Sequence, residues 1–275
     1  MKKDWVQDKV VVITGGAGGI GTALAWQFGM AGAKIGLIDI DSEKVETRAK
    51  ELLAGGVKAL AQKADLTNQS EAYEAINNII NHFGGIDILI NNAGISHRGS
   101  FQEAEITTIR KVMEVNFFGA LTCTKAALPT IRQRQGMIIV ISSIAGIAPL
   151  LGRTAYCASK HALHGLFETL RGELQEHGVH VLIACPGFTK TQFQKKALNG
   201  QGQICPQPRT MVGSEASPAQ VALAIFKAAK NKKRLIVLSF AGKLSYLLFR
   251  FVPFLYERLM TKRLAKEIQN LRRNI

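Results

Sequence analysis

Four side chains in this sequence have the types and spacing needed to move a proton at an oxygen-bearing carbon. Tyr156 and Lys160 lie four residues apart in a stretch of helical periodicity, so the phenol and the ammonium share one helix face. A tyrosine that titrates near ~10 is a poor base at neutral pH, but a neighbouring ammonium favours the phenolate. Together the two groups can pass a proton near the working pH. Ser143 ends the run Ile141-Ser142-Ser143, where its hydroxyl can hold a substrate oxygen beside the phenol and stabilise developing alkoxide charge. Asn116 stands between apolar Val115 and Phe117. A buried amide in a helix needs partners. It is read either as holding a water beside Lys160, which would extend a proton path to solvent, or as a satisfied core amide.

A Tyr-x-x-x-Lys pair occurs on many surface helices, so the reading depends on the elements around it. Seven short apolar runs read as strands: Lys9–Thr14, Ala33–Asp39, Val57–Ala64, Ile86–Asn91, Met137–Ser142, Val179–Cys185 and Arg234–Leu238. Helical patterns fill the gaps at Gly19–Ala31, Ser42–Leu53, Gln69–Phe83, Ile106–Arg134, Thr154–Glu176 and Pro218–Asn231. Nearly continuous apolar strands alternating with amphipathic helices imply an α/β fold, a doubly wound parallel sheet with helices on both faces. Two helix starts are signposted. Ser217-Pro218-Ala219-Gln220 has the pattern of a capping box, and Ser42 is a weaker cap candidate. Residues 194–216, rich in Gly, Pro and polar side chains, read as an irregular loop that serves as a substrate lid.

The first strand runs into Thr14-Gly15-Gly16-Ala17-Gly18-Gly19-Ile20-Gly21 and then a helix. Glycines there let the backbone approach a pyrophosphate, and the helix N-terminus points free N–H groups at it. Gly15, Gly19, Ile20 and Gly21 are therefore candidate dinucleotide-binding residues. Asp39 ends the second strand about 20 residues further on, where a carboxylate suits the ribose hydroxyls of NAD and repels the extra phosphate of NADP. With no arginine in the loop and Ile40 next in sequence, NAD is the expected cofactor and NADP the less favoured one. Asp65, with Leu66 beside it, and Asn92-Ala93-Gly94 fall at the carboxyl edge of the third and fourth strands, where ligands collect in open parallel sheets.

Taken in order, Thr14-Gly-x-x-x-Gly19-Ile-Gly21, Asn91-Asn-Ala-Gly94, Asn116, Ser143, Tyr156-x-x-x-Lys160 and Pro186-Gly187 resemble the short-chain dehydrogenase/reductase family. The resemblance covers residues 14 to about 191, and the strand pattern carries it to about 240. It implies a Rossmann-type sheet in the order 3-2-1-4-5-6-7. It also implies Tyr156 as acid/base, Lys160 as its modifier and a ribose ligand, Ser143 as donor to the substrate oxygen and Asn116 in the proton relay. Thr189 and Thr191 are similar to positions that hold the nicotinamide carboxamide, and Pro186 and Gly187 belong to the same cofactor wall. A homodimer or homotetramer, with the helices of Asn116 and Tyr156 at an interface, is implied as well.

Composition bounds the remainder. The chain has 275 residues, of which 47% are hydrophobic, enough for one large domain, read as 1–240, with an extension at 241–275. Cys123, Cys157, Cys185 and Cys205 lack metal or redox spacing, so no metal site is expected, and reduced thiols fit a cytoplasmic protein. Thirteen Lys or Arg against two Glu from Lys227 onward account for eleven of the fifteen net positive charges. Leu244, Leu247, Leu248, Phe251, Leu255 and Leu259 recur at helical spacing, with Pro253 as a kink or restart. An apolar face with a basic flank suits peripheral attachment to anionic lipid; packing on the body or on a second subunit suits it equally. Basic residues interleaved with large aliphatics, and no recognised nucleic-acid motif, argue against a nucleic-acid binder. The expected activity is hydride transfer between NAD(H) and a lipophilic secondary alcohol or ketone. The alternatives are an NADPH-dependent ketoacyl- or sterol-type reductase and a non-catalytic NAD sensor.

Overall fold

Alternation along the strands builds two cores at once. In the first strand, β1 (Val10–Thr14), Val11 and Ile13 point to one face and Val10 and Val12 to the other, and all four are buried. The computed structural model describes residues 4–205 and 214–272, with side chains described through Lys262. The other strands are β2 (Lys34–Asp39), β3 (Ala59–Lys63), β4 (Ile88–Asn91), β5 (Met137–Ile141), β6 (His180–Cys185) and β7 (Leu235–Val237). They form one parallel sheet in the order β3-β2-β1-β4-β5-β6-β7. This is a Rossmann-type α/β fold, and the strand order reverses between β1 and β4, where a crevice opens at the carboxyl ends.

Helices α1 (Gly19–Gly29), α2 (Ser42–Ala54) and α7 (Pro218–Lys230) cover one face through Leu24, Phe28, Leu52, Ile225 and Phe226. The Phe28 and Phe226 rings meet edge-on at 5.0 Å. Helices α3 (Gln69–Phe83), α5 (Gly119–Gln133) and α6 (Thr154–Glu173) cover the other through Ile76, Ile79, Ala127, Leu163 and Phe167. Each fully buried Leu, Ile or Phe favours this arrangement by roughly 1.5–3 kcal/mol over exposure.

Element ends moved by one or two residues from the sequence reading, apart from α6, which stops three residues short of Glu176, and two differences are larger. The expected helix Ile106–Arg134 is α4 (Ile106–Met113), a π-helical turn at Glu114–Phe118 and α5. Helical periodicity holds on either side of such a short bulge, so the sequence pattern reads as one helix. The cap of α2 is Asp41, whose carboxylate accepts from the Lys44 N–H at 3.1 Å, and Ser42 is the first helical residue instead. The Ser217 capping box on α7 is present as expected, with both reciprocal bonds formed.

The segment 194–216 is less irregular at its flanks than its composition suggested. A 3-10 turn spans Gln192–Lys196, and Leu198 bridges His97 on one side and Ile204 on the other. Residues 206–213, the middle of the expected lid, lie outside the described residues. At the C-terminus, Pro253 restarts the helix: α8 (Phe240–Phe251) breaks at Val252 and α9 (Pro253–Arg272) begins. Both pack on the body. Gly242 admits Ile144 against α8, since a Cβ there would stand 2.4 Å from its Cδ1. The Tyr256 hydroxyl donates to the Pro149 carbonyl at 2.8 Å. Among the described residues, no helix is long and apolar enough to cross a membrane.

Candidate active site

The crevice at the β1/β4 reversal is a cavity of about 1240 Å³, and its wall is mostly apolar. One end is the glycine-rich loop. Gly15 adopts φ +63°, and a Cβ on it would stand 2.9 Å from the Ala93 backbone, so only glycine lets the β1 and β4 loops approach this closely. The Thr14 hydroxyl accepts from the N–H groups of Asn92 (3.0 Å) and Ala93 (3.1 Å). The Asn92 amide donates back to the Thr14 and Gly15 carbonyls at 2.9 and 3.0 Å. This cross-latch fixes the loop. Gly18 caps α1 without a side chain, leaving the first-turn N–H groups facing the cavity, a ready anion site.

Asp39 reaches into the same end. Its carboxylate accepts from the Ala17 N–H at 3.0 Å and the Asp41 N–H at 3.2 Å. It therefore braces the glycine loop, and the helix-capping role falls to Asp41. Asp65 accepts from the Thr67 N–H and hydroxyl at 2.9 and 2.8 Å. Of the cofactor-side residues expected from sequence, Gly15, Gly19, Ile20, Asp39, Asp65, Leu66, Asn92, Ala93, Gly94, Pro186, Gly187, Thr189 and Thr191 all line the cavity. A Cβ on Gly19 would stand 2.6 Å from Thr191 Cγ2, so the loops after β1 and β6 close on each other. Gly21 is not part of the wall. It lies behind the loop, where a Cβ would stand 2.2 Å from the Gly15 carbonyl oxygen, so its lack of a side chain lets the loop pack on α1.

At the other end, β5 delivers Ser143 and α6 delivers Tyr156 and Lys160. Ser143 is extended (φ −165°) and accepts from the Ala145 N–H at 3.2 Å as the cap of a 3-10 turn. Its side chain is close enough to the Tyr156 phenol to pull that group's ionisation down. The Lys160 ammonium donates to the Ile141 carbonyl at 2.9 Å and lies 5.8 Å from the Tyr156 ring centroid. Burial pushes the phenol up to about 12, against the opposing pull of Ser143 and Arg153, and burial lowers Lys160 to about 8. Burial thus opposes the shift towards the phenolate that a neighbouring ammonium favours. The ring is almost wholly enclosed, and desolvation of the phenolate outweighs the nearby positive charge.

Asn116 lies behind the wall on the π turn. Its Oδ1 accepts from the Ile95 N–H at 2.7 Å, and its amide donates to the Ile95 carbonyl (3.0 Å) and the Ser159 hydroxyl (2.9 Å). Both amide hydrogens are engaged by protein. The side chain positions the segment after Gly94 and the residue preceding Lys160. Three features escaped the sequence reading. Arg153 lines the cavity next to Tyr156, and Tyr256 closes it from α9. His164 holds the Ser142 hydroxyl at 3.1 Å while facing Glu168. No local pattern marks these residues, because only packing brings α6, α9 and the strand ends together.

The glycine cradle, the α1 terminus without a side-chain cap and the Ser143, Tyr156 and Lys160 cluster define an oxidoreductase of the dinucleotide-binding Rossmann class. Comparison with known proteins agrees. The model of the short chain dehydrogenase family matches residues 9–202. Dehydrogenase/reductase SDR family member 7B from Bos taurus is 38% identical over 271 residues, 96% of this chain and 83% of that protein. The protein of that name from Danio rerio is 36% identical, covering 95% and 87%. A short-chain dehydrogenase structure from Streptomyces avermitilis superposes with a TM-score of 0.79 at 27% identity, over 96% of this chain and 98% of that one. A Burkholderia phymatum short chain dehydrogenase/reductase solved with NAD shares the fold at TM-score 0.80 and 23% identity, over 91% and 95%. The chain belongs to the short-chain dehydrogenase/reductase family.

Proposed function

We propose that this protein transfers a hydride between NAD(H) and the carbinol carbon of a lipophilic secondary alcohol or ketone. The observation that carries the reading is Ser143, Tyr156 and Lys160 together in one wall of a largely apolar cavity, with Lys160 against the Tyr156 ring and the glycine cradle at the other end. The residues present suit a dinucleotide. The N–H groups of α1 and the glycine loop would hold the pyrophosphate, Asp39 the adenosine ribose, and Thr189 and Thr191 the carboxamide. When bound, the dinucleotide supplies or accepts the hydride. In reduction, the Ser143 hydroxyl and the Tyr156 phenol both donate to the carbonyl oxygen, and the phenol proton passes to it as negative charge develops. Lys160, still largely protonated near neutral pH, restores that proton. Oxidation reverses each transfer. Leu150, Leu151, Phe193, Leu248, Tyr256 and Met260 make the substrate end apolar, which supports a lipophilic substrate.

One feature favours a second reading, NADP(H). Helix α2 brings Lys44, paired with Asp41, to the cavity wall beside Asp39. Titration of the protein with NADH and NADPH separates the two. The NAD reading expects tighter NADH binding and a swing towards NADPH in Asp39→Asn; equal or weaker NADH binding by the unaltered protein overturns it. Activity is tested by screening lipophilic alcohols and ketones for NADH absorbance change. A non-catalytic sensor would bind the dinucleotide and turn over none of them.

A further inference from the structure

We infer that the α8–α9 pair is a docking surface for an anionic lipid bilayer, and that the substrate cavity opens towards it. Among the described residues, sixteen large apolar side chains are exposed, and eight of them fall within residues 240–259. Phe240 is 84% exposed, and Phe251 and Phe254, on either side of the Val252 break, are each 75% exposed. Leu247, Val252 and Leu255 are exposed with them, and Phe240, Leu244, Leu247 and Phe251 share one face of α8 by helical spacing. Single exposed apolar residues are ordinary, but eight within twenty residues, two of them phenylalanines flanking the Val252 break, are not.

The inner side of the same pair is firmly seated. Tyr256 bonds Pro149, its ring meets Phe249 at 5.6 Å, and Gly242 packs on Ile144. The outer face is therefore presented by an anchored element. Charge identifies the occupant. Lys243, Arg250, Arg258 and Lys262 are exposed on these two helices against Glu257 alone, and Arg263, Lys266, Arg272 and Arg273 follow in sequence against Glu267. Aromatic rings flanked by long basic side chains match the boundary between anionic headgroups and acyl chains, where Lys and Arg reach the phosphates and the rings sink below them. A second copy of this chain would bring like charges together at the same patch.

The link to the cavity comes from two residues. Leu244 and Leu259 both line it and are exposed, 48% and 43%, so the roof of the cavity and the apolar patch share side chains. A lipophilic substrate dissolved in the bilayer would enter there without crossing water. This entry route rests on the cavity being the substrate site; the docking itself does not.

The test is flotation of the full-length protein, with NADH present, on vesicles of phosphatidylcholine alone or mixed with phosphatidylglycerol, at low and high salt. The expected result is recovery with the mixed vesicles, weakened by salt. A fall of roughly tenfold or more is expected for the double variant Phe251→Ser, Phe254→Ser, and for Arg250→Gln, Arg258→Gln. Phe251→Trp, Phe254→Trp should retain binding, because tryptophan suits the interface as well as phenylalanine does. NADH affinity checks that each variant is folded, since none of these side chains lines the cavity. Equal recovery of all forms in the soluble fraction overturns the proposal. So does light scattering in which the double serine variant splits an oligomer while no form binds vesicles. Turnover of a short soluble ketone without vesicle binding would remove this inference and leave the enzymatic reading intact; vesicle binding without turnover of any substrate would do the reverse.

Discussion

A phenol held near 12 and an ammonium lowered to about 8 line one cavity, and under the proposed reaction this ordering sets the direction of the pH response. Below pH 8 both groups carry protons, the state that reduction needs. As pH rises through 8, Lys160 loses its charge while Tyr156 remains a phenol, so proton resupply weakens. The expected outcome is a kcat/KM for ketone reduction that is level through neutral pH and falls above about 8, read from initial rates across a buffer series. Tyr156→Phe removes the proton donor but leaves the cradle untouched. It should lower kcat by roughly 10²–10⁴ with NADH affinity nearly unchanged, measured by steady-state rates and by fluorescence titration. Turnover that survives this substitution largely intact would refute the acid/base role.

Among the elements, the π turn and the glycine loop are the devices that place these groups. The widened turn at Glu114–Phe118 aims Asn116 at Ile95 and Ser159, joining the loop after β4 to the helix of Lys160. Asn116→Ala leaves the part-buried Ile95 N–H without this acceptor and should cost about 1 kcal/mol in urea unfolding. Its further effect should be on kcat more than on dinucleotide affinity. Gly21→Ala would put a methyl group 2.2 Å from the Gly15 carbonyl oxygen, and backbone cannot yield as a flexible side chain can. Loss of measurable NADH binding by calorimetry is expected, even though the residue lies behind the cavity wall. A variant that binds as well as the parent would show that the loop relaxes.

Across the whole molecule, the last two helices complete a cavity that the sheet alone leaves open. Deleting residues 240–275 removes Leu244, Leu248, Tyr256, Leu259 and Met260 from the wall but none of the glycine cradle. The truncated protein should keep its dinucleotide affinity and show a raised KM for long apolar substrates relative to short ones. Tyr256→Phe is the milder form. Loss of its bond to Pro149 should lower stability by about 0.5–1.5 kcal/mol, seen as a shift of the urea midpoint without a change in slope.

Much of this was legible along the chain. The strands and most helices followed from hydrophobic period, since a parallel sheet covered on both faces needs continuous apolar runs. The loop from Thr14 to Gly21, the Asn92-Ala93-Gly94 turn and the spacing of Tyr156 and Lys160 are short-range patterns whose geometry is set locally. Tertiary structure alone decided the rest. Asn116 proved to be a brace because its partners come from residues 21 and 43 positions away. Gly21 proved to be a packing residue because Gly15 folds back over it. Arg153, His164 and Tyr256 joined the site only through contacts between distant elements. The order of ionisation, with tyrosine above its ordinary value and lysine below, was likewise invisible in sequence. Types and spacing state which charges are near one another, whereas desolvation depends on how completely the folded chain excludes water.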